Sequence, residues 1–434
     1  MSSASLSSPT TPNRWVIASA AVLVQLALGS VYAWSVFLKP VTAVFYGTTT
    51  SHVTKAQTGT TNLTFSIVLL SLGVTAAFGG YFQIRFGPRV VATVGGILYG
   101  LGIILAGLIA PTHNLVLLYL TYGVLAGIGS GLAYIVPLAM LLRWFPDRRG
   151  FITGLAVAGF GLGALLIAQT VPPLLSPKSL GVSHTLIYLG SIYLLVIVLA
   201  TQLFRKAPDN YAPAGWTPPS EQQAARTTRD FTLGEALRDP KWYILWLTLA
   251  FNVTAGAAVI SVASPLAQQF TGVSAITAAI IVSVISIFNG AGRLVWAWLS
   301  DAIGRPFTFF ALLIVQFFAL LGLAQIGLGS FGLLLIPASI IGLCYGGGFG
   351  TMPAFAADFF GAKNSGMIYG AMLTAWSAGG IIGPILISSL EYRLALYVLA
   401  VIVIIGAALP LIARVMIRRQ SQVVVGVEPV ASNR

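Results

Sequence analysis

The sequence predicts an all-α membrane protein of twelve transmembrane helices, arranged as two pseudo-symmetric six-helix bundles. The first observation is composition: of 434 residues, 57% are hydrophobic and 8% are charged, whereas soluble globular domains carry about 25% charged residues. The second is a series of apolar runs, each of about the 20 residues that a helix needs to cross a bilayer. A membrane barrel would instead show weak alternation along short strands. The third is a similarity between the two halves of the chain.

The apolar runs divide evenly around one long polar segment. The predicted spans are residues 15–38, 60–83, 89–110, 114–142, 150–171, 183–204, 241–268, 274–299, 306–328, 330–357, 364–389 and 394–417. Residues 205–240 are rich in Pro, Arg and Asp and follow the sixth span. We therefore expect an N-terminal bundle (1–204), a cytoplasmic linker (205–240) and a C-terminal bundle with a cytoplasmic tail (241–434).

Prolines and glycines recur at a fixed offset of 216 positions between the two halves. The pairs are Pro137 with Pro353, Gly131 with Gly347, Gly150 with Gly366, Gly154 with Gly370, and Gly163 with Gly379. Internal repeats of this kind are typical of transporters whose halves rock around a site near the membrane midplane. The repeat therefore favours a transporter over a channel or a membrane enzyme.

Basic residues outnumber acidic ones by 23 to 10, but they lie mostly in short loops between spans. With the N-terminus inside, 18 of the 23 fall on the cytoplasmic side, in agreement with the positive-inside rule. This charge pattern therefore reports topology. We expect a multi-pass plasma membrane protein with both termini cytoplasmic. We also expect it to contact membrane lipid, to act as a monomer and not to bind nucleic acid.

Arg293 is a basic residue inside the predicted eighth span. An arginine at the centre of a membrane helix costs about 2.5–3.5 kcal/mol on insertion scales, so it normally faces a protein-lined cavity. Its planar guanidinium matches a carboxylate through two parallel hydrogen bonds. Asn289 lies one turn earlier on the same helix face and is placed to orient the guanidinium or to bond a ligand. We expect Arg293 to bind an anion; the alternative is a side chain that extends to the polar end at Ser300.

The residues that enzymatic chemistry needs are absent from the middle of the spans. None of the ten carboxylates falls in the middle third of a predicted span, and His52, His113 and His184 lie in loops or at a span edge. Together with the single Cys344, they form no nucleophile–base pair and no metal cluster. We therefore expect no catalytic residue, no metal and no cofactor. The glycine clusters at 127–131 and 346–350 predict close helix packing.

Two related loops follow the second and the eighth predicted spans. They contain Arg85, Gly87 and Arg89 in the first copy, and Asp301, Gly304 and Arg305 in the second. The glycines are expected to turn the chain between antiparallel helices, with the charges at the helix ends. Both loops resemble the gating signature of the major facilitator superfamily, which implies the major facilitator fold. Ile84 stands at the acidic position of the first copy, so a gating salt bridge is expected only in the second.

Residues 28–35, 143–150 and 288–293 resemble one branch of that superfamily. This branch is the oxalate/formate antiporter family with its relatives, the bacterial pyruvate transporters and the monocarboxylate transporters. The resemblance runs from about residue 13 to residue 417. It implies secondary active transport by alternating access. It also implies a cavity lined by the matching residues Tyr32, Trp34, Asn62, Tyr134, Phe160, Asn289, Arg293, Tyr345, Phe349 and Trp376.

The resemblance also bears on the charge of the substrate. Oxalate-exchanging members carry two buried cations, an Arg in the eighth span and a Lys in the eleventh; Arg293 matches the first, whereas Trp376 occupies the Lys position. A dianion beside one cation in a dry cavity leaves an unpaired charge, which costs several kcal/mol. We therefore predict a small monocarboxylate such as pyruvate, lactate or formate. An oxalate/formate antiporter, a non-transporting carboxylate sensor and a channel remain alternatives.

Two coupling mechanisms remain open from the sequence. Eukaryotic relatives of the monocarboxylate type carry an Asp four residues before the buried Arg, where it can serve as a proton site. Here that position is Asn289, which does not titrate. The protein therefore either exchanges one monocarboxylate for another, or co-transports a proton that travels through Asp358 or water.

Overall fold

The computed structural model describes residues 12–208, 211–213, 215, 230–326, 329–361 and 364–425. These residues form helices and no strands, and twelve helices are long and apolar enough to cross a membrane. They are α1 Arg14–Phe45, α2 Lys55–Phe86, α3 Pro88–Thr112, α4 Leu115–Trp144, α5 Phe151–Thr170, α6 Gly181–Thr201, α7 Pro240–Thr271, α8 Ala275–Ile303, α9 Arg305–Gln325, α10 Phe331–Phe360, α11 Ser365–Ser389 and α12 Tyr392–Met416. The twelve-helix prediction is confirmed.

The polar segment between α6 and α7 is described in part. Residues 209–210, 214 and 216–229 lie outside the described residues, with Asp209 and Glu221 among them, as do Lys363 and the tail after residue 425. A short helix, Leu233–Ala236, precedes α7 and starts with a capping box between Thr232 and Glu235. Six spans precede this segment and six follow it. We call α1–α6 the N-terminal half and α7–α12 the C-terminal half.

The first two spans extend further than their hydropathy predicts. α1 continues to Phe45 instead of residue 38, because Lys39 stays in the helix and donates to Gln268 Oε1 at 3.1 Å. α2 begins at Lys55 instead of residue 60, because Thr54 and Gln57 form a capping box there. Asn62 consequently lies about two turns inside α2.

The repeat between the halves extends to the helix ends. α4 and α10 both begin and end 216 residues apart, and the helical segment that leads into α5 begins at Arg149, 216 residues before Ser365 at the start of α11. Pro137 lies inside α4 and Pro353 at the matching place inside α10. α4 and α5 therefore correspond to α10 and α11, as the sequence predicts.

The glycine clusters let helix backbones touch, which confirms the packing prediction. A Cβ at Gly346 would lie 2.0 Å from the backbone oxygen of Asn289, and one at Gly350 would lie 2.2 Å from that of Arg293. In the N-terminal half, a Cβ at Gly131 would lie 2.4 Å from the backbone oxygen of Leu72. Contacts this short leave no room for a side chain. α10 thus packs directly against the stretch of α8 that carries Asn289 and Arg293.

The two signature loops turn the chain at glycines with positive φ, 81° at Gly87 and 86° at Gly304. Arg89 donates its Nε to Gln202 Oε1 at 2.8 Å, while Arg85 is exposed. In the second copy, Arg305 pairs with Asp301 at 2.5 Å and with Asp358 at 3.3 Å. Each of these contacts joins helices of the same half.

A further ion pair lies at the end of the bundle where α1 begins. Arg14 donates to both carboxylate oxygens of Asp147, at 2.6 and 3.0 Å, and its guanidinium lies 4.6 Å from the centre of the Phe145 ring. The hydrogen bond from Arg14 lowers the pKa of the Asp147 carboxyl below its ordinary value. The pair therefore fastens the start of α1 to the loop between α4 and α5.

Candidate functional site

Arg293 lies in the interior of the protein, away from lipid and from the polar helix end. Its side chain is 0% exposed, and it is the one fully buried charged residue in the described part of the chain. Nε donates to Asn289 Oδ1 at 3.3 Å, whereas Nη1 and Nη2 have no hydrogen-bond partner. No ion pair in the described residues includes it. The alternative in which Arg293 extends to the polar end is therefore wrong.

Aromatic rings from both halves enclose the guanidinium. Its central carbon lies 5.2 Å from the centre of the Phe349 ring and 5.8 Å from that of Phe160. Trp376 packs at 4.6 Å from Phe349, at 5.5 Å from Phe160 and at 5.2 Å from Tyr134. Ring faces attract a cation, so this enclosure stabilises the positive charge in part without supplying an anion.

Tyr32 and Tyr345 join the two halves beside this enclosure. Their hydroxyls are 3.0 Å apart, and Trp376 donates its Nε1 to Tyr345 Oη at 2.9 Å. Tyr32 reaches this position because α1 narrows to a 3₁₀ turn at Gly29–Ala33. A Cβ at Gly29 would lie 2.0 Å from the backbone oxygen of Phe160. That close approach brings Tyr32 against the Phe160 ring at 5.2 Å.

Several buried hydrogen-bond donors around Arg293 have no partner. They are Nη1 and Nη2 of Arg293, Nδ2 of Asn289, and the hydroxyls of Tyr134 and Tyr369. Most buried polar groups in proteins are hydrogen-bonded, so a group of unpaired donors in one place needs an explanation. We call Arg293, Asn289, Tyr134 and Tyr369 the donor cluster. It suits a ligand that is rich in acceptors.

Two residues near the site are absent from the sequence-based set. Tyr369 belongs to the donor cluster, and Gln25 donates its Nε2 to the backbone oxygen of Tyr134 at 3.0 Å. Gln25 could have been found, because a buried glutamine in an apolar helix is unusual. Nothing in the sequence distinguishes Tyr369 from a tyrosine that only packs.

Trp34 and Asn62 form a different polar cluster, between α1 and α2 on one side and α7 and α11 on the other. Trp34 Nε1 donates to Asn62 Oδ1 at 3.0 Å, and Asn62 Nδ2 donates to the hydroxyls of Ser261 at 3.1 Å and Ser388 at 3.0 Å. We call these four residues the clamp. It lies toward the end of the bundle opposite the start of α1. The other seven predicted lining residues gather around Arg293.

Known proteins resemble this chain over most of its length. The Major Facilitator Superfamily profile matches residues 13–384. The MFS-type transporter YhjX of Escherichia coli K12 is 32% identical over 377 residues, which cover 85% of this chain and 86% of YhjX. The oxalate:formate antiporter of Oxalobacter formigenes is 29% identical over 403 residues, 92% of this chain and 90% of the antiporter. Apicoplast pyruvate carrier 1 of Toxoplasma gondii is 27% identical, with 80% of this chain and 78% of the carrier covered.

Solved structures share the fold at lower sequence identity. A bacterial homologue of the human lysosomal transporter Spinster, in an inward-facing conformation, matches with a TM-score of 0.67 and 16% identity over 93% of this chain and 97% of its own. A D-xylose–proton symporter matches with a TM-score of 0.66 and 13% identity over 91% and 97%. The twelve helices, the internal repeat and these relatives all indicate the same family. The chain belongs to the Major Facilitator Superfamily and is a multi-pass membrane transporter related to the oxalate:formate antiporter and the monocarboxylate transporters.

Proposed function

We propose that this transporter carries a small monocarboxylate and binds its carboxylate through Arg293. The observation that supports this most is the pair of guanidinium nitrogens, Nη1 and Nη2, buried without an acceptor. A buried donor left unpaired costs about 1–3 kcal/mol, and more when it is charged. A carboxylate supplies two acceptor oxygens in the geometry of the guanidinium fork, together with the missing negative charge.

The proposal of a single carboxylate rests on Trp376. Its indole is fully buried against Phe349, at the position where oxalate-exchanging relatives carry a lysine. In the described residues no second charged side chain is fully buried. Two of the relatives are an oxalate:formate antiporter and a pyruvate carrier, so small carboxylates fit the family. Pyruvate, lactate and formate match one cation; oxalate is the alternative that requires a second.

The empty and loaded states of Arg293 suggest how transport proceeds. An unpaired buried charge resists the packing of the two halves against each other, and a bound anion removes that charge. We favour exchange over proton symport, because no carboxylate or histidine in the described residues is fully buried. Asp358, the proton site that the sequence leaves open, pairs with Arg305 at the end of α10.

The first experiment measures binding of lactate, pyruvate, formate and oxalate to the purified protein by calorimetry. We expect lactate or pyruvate to bind, and Arg293→Gln to weaken binding about 100-fold or more, because two charge-assisted hydrogen bonds are lost. Arg143→Gln is the matched control, since it removes an exposed arginine from the last turn of α4. Unchanged lactate affinity in Arg293→Gln would overturn the proposal, as would oxalate binding as tight as lactate binding.

Liposomes distinguish a transporter from a sensor or a channel. We expect saturable uptake of labelled lactate that depends on unlabelled lactate inside the vesicle. Accumulation driven by a pH gradient, with no substrate inside, would instead establish proton symport. The plasma membrane location, the cytoplasmic termini and the monomeric state are part of the same proposal. Labelling of single cysteines introduced at the two ends of the bundle tests the orientation.

A further inference from the structure

A cavity of about 450 Å³ lies between α2 and α11, at the end of the bundle where the clamp is found. Both halves line it, α2 with Lys55, Thr60 and Leu63 and α11 with Ile385, Ser388 and Ser389. Sites for small organic ligands usually have volumes of about 300–1,000 Å³. The cavity is therefore large enough for a ligand, and no residue of the donor cluster lines it.

The lining of this cavity changes from polar to apolar with depth. Lys55 begins α2 and Ser389 ends α11. Leu63 lies eight residues further into α2, or about 12 Å at helical rise. Ile385 lies one turn before the end of α11 and is 40% exposed, so its side chain faces lipid. The change follows the direction in which a phospholipid passes from its headgroup to its acyl chains.

Lys55 supplies the positive charge of the lining. Its ammonium donates to the backbone oxygen of Leu390 and lies 4.3 Å from the centre of the Tyr392 ring. No ion pair in the described residues includes it, and the neighbouring Glu391 uses its carboxylate to cap α12. Because an ammonium has three N–H donors, it can bind Leu390 and a ligand together. A negatively charged ligand therefore complements this end of the cavity.

We propose that the cavity binds an anionic phospholipid. Its phosphate accepts from Lys55 and from the hydroxyls of Ser388 and Ser389, and the start of an acyl chain packs on Leu63 and Ile385. Basic pockets between membrane helices suit phosphate headgroups in this way. Ser388 accepts from Asn62 at 3.0 Å and keeps its own O–H for the phosphate. The inference does not depend on the role proposed for Arg293.

The bound lipid contacts both halves of the transporter. Lys55 and Leu63 belong to the N-terminal half, whereas Ser388 and Ile385 belong to the C-terminal half. Ser388 is also a member of the clamp, so the lipid and the clamp act on the same contact between α2 and α11. A ligand that binds one arrangement of a protein stabilises that arrangement by mass action. The lipid therefore favours the arrangement in which the halves meet at this end.

The test compares phosphatidylglycerol with phosphatidylcholine of the same acyl chains. Each is titrated into the full-length protein in detergent, and native mass spectrometry measures the dissociation constant of the first lipid bound. We expect phosphatidylglycerol to bind at least about tenfold more tightly, because its phosphate charge is not compensated within the lipid. Lys55→Gln should lower this ratio to about one or two. Lys178→Gln, which removes an exposed lysine from the loop between α5 and α6 at the same end, should keep the original ratio.

A second variant tests the cavity itself. Ala56 is an exposed residue of the lining, and Ala56→Leu adds bulk there without removing a polar group. We expect it to weaken binding of phosphatidylglycerol several-fold, and it provides the test if Lys55→Gln fails to fold. Glycerol 3-phosphate carries a phosphate without acyl chains. We expect it not to displace the lipid, because it makes no contact with the apolar part of the cavity.

Three results overturn the inference. One is equal binding of the two lipids by the unchanged protein. Another is binding of phosphatidylglycerol that stays the same in both Lys55→Gln and Ala56→Leu, which would place the lipid elsewhere on the surface. The third is displacement of the lipid by glycerol 3-phosphate, which would show a site for a soluble phosphate. An equal loss of both lipids in Lys55→Gln also counts against it, since that indicates a structural role for Lys55.

Discussion

The donor cluster and the clamp are two buried polar groups at the same interface between the halves. Both contain a buried asparagine. In the clamp, Asn62 uses its oxygen for Trp34 and its amide nitrogen for Ser261 and Ser388. In the donor cluster, Asn289 uses its oxygen for Arg293 and leaves its amide nitrogen unpaired. One cluster is complete within the protein, and the other is not.

This difference supports the proposal that the clamp is a structural contact and the donor cluster a binding site. A fully paired polar cluster stabilises the arrangement that it joins, and any ligand would have to break existing hydrogen bonds. An unpaired cluster is costly until something completes it. The clamp therefore holds the two halves together at its own end of the bundle, while the donor cluster is where we propose that an anion binds. Both inferences can be tested by adding or removing a charged or hydrogen-bonding group in each cluster.

The largest effect is expected when the donor cluster is completed from within. Asn289→Asp places a carboxylate beside Arg293, so a substrate anion now competes with an internal one. We expect lactate affinity at neutral pH to fall about 100-fold, the cost of uncovering a buried charge pair. The remaining binding should take up a proton, so affinity should rise by up to about tenfold for each unit of decreasing pH.

Calorimetry at several pH values checks this, with the unchanged protein as the reference. Because Asn289 does not titrate, the unchanged protein should show no such slope over the same range. An Asn289→Asp variant with normal affinity at neutral pH would show that Arg293 does not need to be free of an internal partner to bind substrate.

A second cation should change which anion completes the cluster. Trp376→Lys puts an ammonium group opposite Arg293 and removes the indole that bonds Tyr345. We expect oxalate to bind more tightly than lactate in this variant, a reversal of roughly tenfold or more, because the second carboxylate then has a partner. Competition of oxalate and formate against labelled lactate measures the change. Trp376→Leu is the control without charge, and oxalate should stay a poor competitor there.

Opening the clamp should affect stability and exchange rate more than affinity. Asn62→Ala leaves the Trp34 N–H and the hydroxyls of Ser261 and Ser388 without their shared partner, which costs about 1–3 kcal/mol. We expect a lower melting temperature and a several-fold change in exchange rate, with lactate affinity within about threefold of normal since no clamp residue belongs to the donor cluster. Selective loss of lactate binding in a folded Asn62→Ala protein would show that Asn62 belongs to the binding site.

The sequence predicted the fold because the bilayer imposes long apolar spans. It predicted that the Arg293 side chain is buried within the protein because a charge is costly in lipid. It did not predict that Trp34 and Asn62 lie in a cluster apart from the other lining residues. A match of sequence positions to a family does not show which side chains are hydrogen-bonded to each other. It also overlooked Tyr369, whose unpaired hydroxyl is a property of the folded arrangement. The predicted spans end before Lys39 and begin after Lys55, so they are shorter than the helices. Hydropathy does not predict that a polar residue stays in a helix because its side chain has a hydrogen-bond partner.

The smallest expected effect concerns a paired cluster outside the interface, the Arg14–Asp147 ion pair. The hydrogen bond from Arg14 lowers the pKa of Asp147, so the pair stabilises the folded protein above the ordinary carboxyl pKa of about 3.9 and loses this contribution as the pH falls through the lower folded value. We expect Asp147→Asn to lower the free energy of unfolding by about 0.5–1 kcal/mol at pH 7, as for other partly exposed pairs. The difference should disappear once Asp147 is protonated in the unchanged protein. Melting curves from pH 7 to about pH 3 measure the difference. Lactate affinity at pH 7 should be the same in both proteins, because completing or breaking this pair leaves the donor cluster as it was.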